Sequence, residues 1–139
     1  KLKNVPWDTY MTYGTYYVRK SKFQDAETMF KKGEEIAPDE RSKYSAEADI
    51  ALTYVQRGDL DQGIQMLENV ASNPGVDPKI HADLALLYGL RGNEQAFKIQ
   101  ASQSNMNGDT VKDLRTWMSG DSYDPNFTSK KLPRKSKNN

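Results

Sequence analysis

Cysteine is absent from the 139 residues. That excludes disulfides, thiolate metal sites and a cysteine nucleophile, and it leaves the redox compartment open. Histidine occurs once, at His81. No apolar run approaches the ~18–20 residues that a membrane span needs. No segment alternates as a strand would, and no glycine-rich loop of the phosphate-cradling kind is present. No signal peptide is in view, yet the chain begins at Lys1 rather than Met, so the expectation is an upstream segment that has been removed.

What is present is a polar chain of one domain's length, 36% hydrophobic and 28% charged, with a net charge of +1. The charge is unevenly spread. The last twelve residues hold five of the 20 basic side chains and no acid, which leaves 15 basic against 19 acidic residues in 1–127, a net of −4. A mildly acidic body with a basic tail argues against a nucleic-acid-binding domain, which needs a basic face.

The body carries a spacing. Counting Trp7 as position 1, large side chains fall at Tyr10, Tyr13, Tyr17 and Phe30, positions 4, 7, 11 and 24. Small ones fall at Gly14, Ala26 and Gly33, positions 8, 20 and 27, and Pro38 stands at position 32. This pattern resembles the tetratricopeptide (TPR) repeat, a unit of 34 residues in two antiparallel helices. Packing is the physical reason for it: small residues let the two helices approach, and large ones fill the space between neighbours. A second unit from Tyr44 places Ala51 at position 8, Tyr54 at 11, Gly63 at 20, Leu67 at 24 and Val70 at 27. Its position 4 is Glu47, a weak match. Gly58-Asp59 forms its turn, and Pro74 comes one place early. Tyr17 and Tyr54 are 37 apart, so three extra residues near 39–43 lengthen either the loop or the start of the following helix.

A third unit from Pro78 places Leu84, Ala85 and Tyr88 at positions 7, 8 and 11, with Gly92-Asn93 as its turn. Ala96 arrives one residue early, so a shortened turn is expected, with Gln100 and Gln103 in the aromatic and small slots of a degenerate last helix. Val111, Leu114, Trp117 and Met118 share one face of a further helix, capped by Asp109 or Thr110 and ended by Gly120. Between these signature slots, helical faces run through Ala26, Met29, Phe30 and Gly33, through Tyr44, Ala48, Ala51, Tyr54 and Val55, and through Leu60, Ile64, Leu67 and Ala71.

The resemblance implies an all-α fold: a right-handed superhelical TPR solenoid of three helix-turn-helix repeats plus a C-terminal capping helix, seven helices in all. The organisation expected is a lead-in at 1–6, then a TPR domain at 7–119 with repeats about 7–40, 44–74 and 78–104. A capping helix follows at about 109–119, and a basic tail at 120–139.

Catalytic material is scarce. His81 occupies a packing slot and reads as a half-buried structural histidine. Glu34-Glu35 and Asp39-Glu40 read as solvated surface charge. Asp59 and Asp61 sit where acids complement a helix N-terminus, without the ligand density of a calcium loop. The expectation is a protein that is not an enzyme, with no cofactor, metal, small-molecule substrate or nucleic-acid partner.

Four tyrosines crowd the first helix. Tyr10, Tyr13 and Tyr17 hold signature slots and read as core, whereas Tyr16 is off-signature and faces solvent or a partner. In TPR proteins partners usually bind the concave groove lined by the first helix of each pair. The corresponding positions here are Met11, Thr15, Val18 and Arg19, then Ala48, Leu52, Val55 and Gln56, then Ala82, Leu86 and Leu90. That set is apolar and small. It suits an apolar helix or extended segment, or the protein's own flanking chain, and it lacks the Lys and Asn that hold a C-terminal carboxylate. In the tail, Asp124-Pro125 and Leu132-Pro133 break any helix. Tyr123, Phe127, Lys130, Lys131, Arg134 and Lys135 are its candidate contacts, to the acidic body or to a partner, with anionic lipid as a further attraction for the basic cluster.

The stretch Leu84-Ala85-Leu86-Leu87-Tyr88-Gly89-Leu90-Arg91-Gly92-Asn93, with Ala96 and then Val111 and Leu114 in a terminal helix, resembles the TadD-type TPR lipoproteins of the bacterial tight-adherence (Flp) pilus system. The resemblance implies a non-enzymatic scaffold that assists assembly or localisation of the pilus secretion apparatus, with a secretin or another assembly component as partner. It also implies a periplasmic, outer-membrane-associated location through an N-terminal lipidated cysteine. The chain departs from that family at Asp113, where an Asn usually precedes the Leu, in having no cysteine, and in its basic tail. The other reading is a generic cytoplasmic TPR adaptor or co-chaperone that binds a client helix in the apolar groove.

Overall fold

The computed structural model describes residues 5–104. Among them are six helices and no strand: α1 Trp7–Arg19, α2 Phe23–Ile36, α3 Glu40–Gln56, α4 Leu60–Ala71, α5 Pro78–Arg91 and α6 Glu94–Ser102. The all-α class is therefore present. The chain divides into two compact units between Asp77 and Pro78. The expected capping helix at Val111–Met118 and the tail candidates Tyr123, Phe127, Lys130, Lys131, Arg134 and Lys135 lie outside the described residues.

One turn recurs three times. Ser21, Gly58 and Gly92 have φ of 60°, 98° and 82°, the left-handed conformation that ends a helix. After each, the next residue's N–H reaches back to a tyrosine carbonyl: Lys22 to Tyr17 at 2.8 Å, Asp59 to Tyr54 at 2.9 Å, Asn93 to Tyr88 at 2.9 Å. The left-handed residue itself donates three residues back, to Val18, Val55 and Gly89 at 2.9, 2.9 and 3.0 Å. These two bonds together satisfy carbonyls that would otherwise be orphaned at the helix end. Each turn folds a helix back on its predecessor, so α1 packs on α2, α3 on α4 and α5 on α6.

Within the first unit the glycines mark the closest approaches. A Cβ on Gly14 would stand 2.3 Å from the Phe30 ring, and one on Gly63 would stand 2.3 Å from Val55 Cγ2 and 2.9 Å from the Ala51 carbonyl oxygen. The small residues at positions 8 and 20 thus seat the helix opposite, as their spacing implies. Ala26, Phe30 and Ile50 form a buried cluster, with Met11, Tyr17, Val18, Tyr54 and Met66 packed around it. Ile50 belongs to α3, so α2 is clasped between its own partner α1 and the next helix. α3 buries residues on every side, from Ala46 to Val55, as does α5 from Ile80 to Leu90. Met29, Tyr44, Leu60 and Ala71, expected in the core, are only half-buried.

Of the two readings of the three extra residues near 39–43, the longer helix start is present: α3 begins at Glu40, and Asp39 caps it by accepting the Ser42 N–H at 2.8 Å. Two expectations need correction. The turn before α6 is not shortened. Asn93 caps α6 at the same count as Lys22 and Asp59 cap theirs, its side chain accepting the Ala96 N–H at 3.1 Å. Ala96 is consequently half-exposed, and Phe97 and Ala101 enter the core with Ala85, flanked by Tyr88. The large and small slots of the pattern are exchanged here, Phe at position 20 and Ala at 24, which conserves volume between the two helices. The helix is therefore packed rather than degenerate, and Gln100 and Gln103 lie off its core face. Tyr13, finally, is 50% exposed instead of buried.

Candidate functional site

The groove positions are not all open to a partner. Met11, Thr15, Val18, Gln56 and Ala82 are half-buried and Arg19 is exposed, but Ala48, Leu52, Val55, Leu86 and Leu90 are buried. At Val55 the reason is local, because its methyl seats against Gly63 of α4, leaving it a core residue between paired helices. Met11 and Val18 pack against the cluster around Phe30. Thr15 turns its hydroxyl onto the Met11 carbonyl of its own helix at 3.1 Å, which spends its donor internally. Five of the eleven groove positions are therefore core, and the other six are partly or fully exposed.

The described cleft with a built interior is elsewhere in the first unit, between α2, α3 and α4. It encloses about 370 Å³ over a floor of Ile50, Tyr54, Met66 and Val70, with Glu27, Lys31, Glu34, Glu47 and Asn69 around it. Its walls follow from helix register. Glu27, Lys31 and Glu34 recur at four- and three-residue steps on one face of α2, and Glu47, Ile50 and Tyr54 do the same on α3.

Glu27 organises one end. It accepts the Tyr54 hydroxyl at 3.1 Å, pairs with Lys31 at 3.1 Å and lies 3.9 Å from Arg57. The Arg57 guanidinium stacks over the Tyr54 ring, 4.2 Å from its centroid. The carboxylate beside it holds the Lys31 ammonium above its ordinary pKa through a hydrogen bond and through charge. Because Glu27 stands early in α2 while Tyr54 stands late in α3 and Arg57 directly after its end, this clasp fixes the two helices antiparallel.

At the other end Glu47 faces Glu34. Burial first, then a hydrogen bond to Glu34 and its charge, push the Glu47 carboxyl up to about 7, against a smaller opposing pull from Lys43. The Glu47 carboxyl, facing Glu34, thus takes up a proton at far higher pH than an ordinary glutamate. Among the described residues no group of three or more His, Asp or Glu is arranged to hold a metal ion. A wider, shallow depression beside it carries Lys31, Lys32, Lys43, Glu34, Glu35, Asp39 and Glu40, a mixed and solvated charge surface.

His81 is half-buried, as its packing slot implied, and its Nδ1 lies 2.8 Å from Gln100 Oε1. The amide oxygen can only accept, so Nδ1 carries the proton. The bond ties α5 to α6. Asp83 is buried on α5, with Lys79 one turn away at 3.9 Å.

Sequence reasoning passed over the Glu34–Glu47 pair because it weighed carboxylates adjacent in sequence. The available signal was Glu47 itself, a charged residue in a slot that asks for a large packing side chain. Comparison with protein-family models, with curated proteins and with solved structures finds no match for the chain.

Proposed function

We propose that the chain is a non-enzymatic, TPR-type protein-binding scaffold. The observation that carries this reading is the turn repeated at Ser21, Gly58 and Gly92, with a tyrosine carbonyl accepting the cap N–H each time. Each helix pair is built to one plan, and such pairs work by presenting side chains on their helices to another protein. Among the described residues His81 is engaged with Gln100, and Glu27 with Tyr54, Lys31 and Arg57. The α2–α3–α4 cleft, apolar below and acidic above, is the part of the described surface best suited to receive a partner side chain.

The resemblance to TadD-type proteins gives the scaffold its context: assembly or localisation of a bacterial Flp pilus secretion apparatus at the outer membrane, with a secretin or another pilus-assembly component as partner. Among the described residues no helix is long and apolar enough to cross a membrane. The test is in-cell cross-linking of the native full-length protein followed by purification. Recovery of a secretin or another pilus-assembly component is the expected result. Recovery of a cytosolic chaperone or a single soluble client instead would refute the pilus reading while leaving a scaffold.

A further inference from the structure

The helix pairs expose a difference between α1 and its counterparts. At position 7, Ile50 of α3 is 4% and Leu84 of α5 is 1% exposed, whereas Tyr13 of α1 is 50% exposed. At position 10, Thr53 and Leu87 are buried, whereas Tyr16 is 51% exposed. One helix face is thus covered in α3 and α5 and uncovered in α1, where two aromatic rings stand on it. Aromatic rings half in water are costly decoration and efficient anchors.

The structure itself shows what such a face receives. In α3 its position-7 residue is seated on α2, with Ile50 against Ala26 and Phe30, a small and a large residue one helical turn apart. At the end of that contact Arg57, stacked on Tyr54, reaches Glu27, the residue directly after Ala26. In α1, Tyr17 and Lys20 hold the places of Tyr54 and Arg57. The Lys20 ammonium lies over the Tyr16 ring, 5.7 Å from its centroid, and Tyr16 meets Tyr17 edge-on at 5.5 Å. The cation is exposed, beside exposed Arg19.

We propose that the outer face of α1, carrying Tyr13 and Tyr16, docks an amphipathic helix of a partner protein, antiparallel to α1. On that helix a small and a large apolar residue stand four apart, and a carboxylate follows the small one and meets Lys20. The proposal rests on the reading of the helix pairs as repeats of one plan. It gives the scaffold a docking face distinct from the α2–α3–α4 cleft.

The probe is a helix-stapled, fluorescein-labelled peptide of residues 22–37 of this chain, which carries the Ala26-Glu27…Phe30 ridge. Its anisotropy is titrated with the full-length protein. Saturable binding is expected, weakened at least tenfold by Tyr13→Ser with Tyr16→Ser. Those substitutions touch half-exposed side chains, so far-UV circular dichroism and the melting temperature should stay at wild-type values. A charge exchange keeps the test independent of that variant. Lys20→Glu should weaken binding several-fold, and a Glu27→Lys probe should restore it. The proposal is overturned by absence of binding, by binding indifferent to both sets of substitutions, or by a wild-type dimer in sedimentation that the tyrosine substitutions split, which would assign the face to a second copy. Cross-linking to a pilus component would survive any of these failures, so the two readings fall separately.

Discussion

Glu47→Gln should change stability in a way that depends on pH, and the sign is fixed by the cleft. The Glu47 carboxyl is raised from 4.5 to about 7 by burial and by Glu34. A group whose folded pKa is raised binds its proton more tightly in the folded state. Its favourable contribution is complete below about 4.5 and is lost as pH climbs through about 7. At ~1.4 kcal/mol per unit the whole span sets a ceiling of roughly 3 kcal/mol. Glu47 is only half-buried and water screens the pair, so about 1 kcal/mol is the realistic size. Glutamine keeps the donor and removes the titration. The variant should match the wild type at pH 4.5 and exceed it by about 1 kcal/mol at pH 8. Urea denaturation at a series of pH values, read by circular dichroism, measures both curves. If wild type and variant lose stability in parallel between pH 5 and 8, the Glu34–Glu47 contact does not exist in solution.

Two further outcomes follow from the backbone and its close approaches. Gly63→Ala should destabilise the first unit by about 1–3 kcal/mol, because its Cβ would strike Val55 and the Ala51 carbonyl, outweighing a helix propensity gain of up to ~1 kcal/mol. Gly75→Ala, which meets nothing within 4 Å, is the control, and equal melting temperatures for the two variants would contradict the packing described. Ser21→Gly should stabilise the protein by about 0.5–1 kcal/mol by relieving a left-handed serine at φ 60°, and a lowered melting temperature would exclude that conformation in solution.

Much of the helical plan was legible because it is written in residue size and turn chemistry. Gly14, Ala26, Ala51 and Gly63 announced the close approaches, and Gly58-Asp59 and Gly92-Asn93 announced the turns. Ser21 did not announce its turn, since serine is seldom left-handed, and only the recurring hydrogen bonds equate it with the glycines. The register of α6 was misread because Ala96 looked like the small slot; exchanging large and small between Phe97 and Ala101 fills the same volume, and a one-residue template cannot detect an exchange. The groove was overestimated for a related reason. Spacing assigns Leu52, Val55, Leu86 and Leu90 to one side of their helices, but whether that side meets water depends on what packs there.

By itself, the sequence determined the class of the fold, the pairing of helices through small-on-large contacts, the places where each pair turns, and His81 as a packing residue. Those properties are local: they depend on residues a few positions apart and on backbone conformations that glycine, proline and cap residues select. The tertiary structure alone decided the rest. It brought Glu34 and Glu47 together across two helices so that the Glu47 carboxyl is pushed up to about 7, and it gathered Tyr54, Lys31 and Arg57 on Glu27. It also left Tyr13 and Tyr16 of α1 uncovered where Ile50 and Thr53 of α3 are buried. Burial and charge proximity are set by neighbours distant in the chain, so identical positions in the repeating pattern acquire different chemistry.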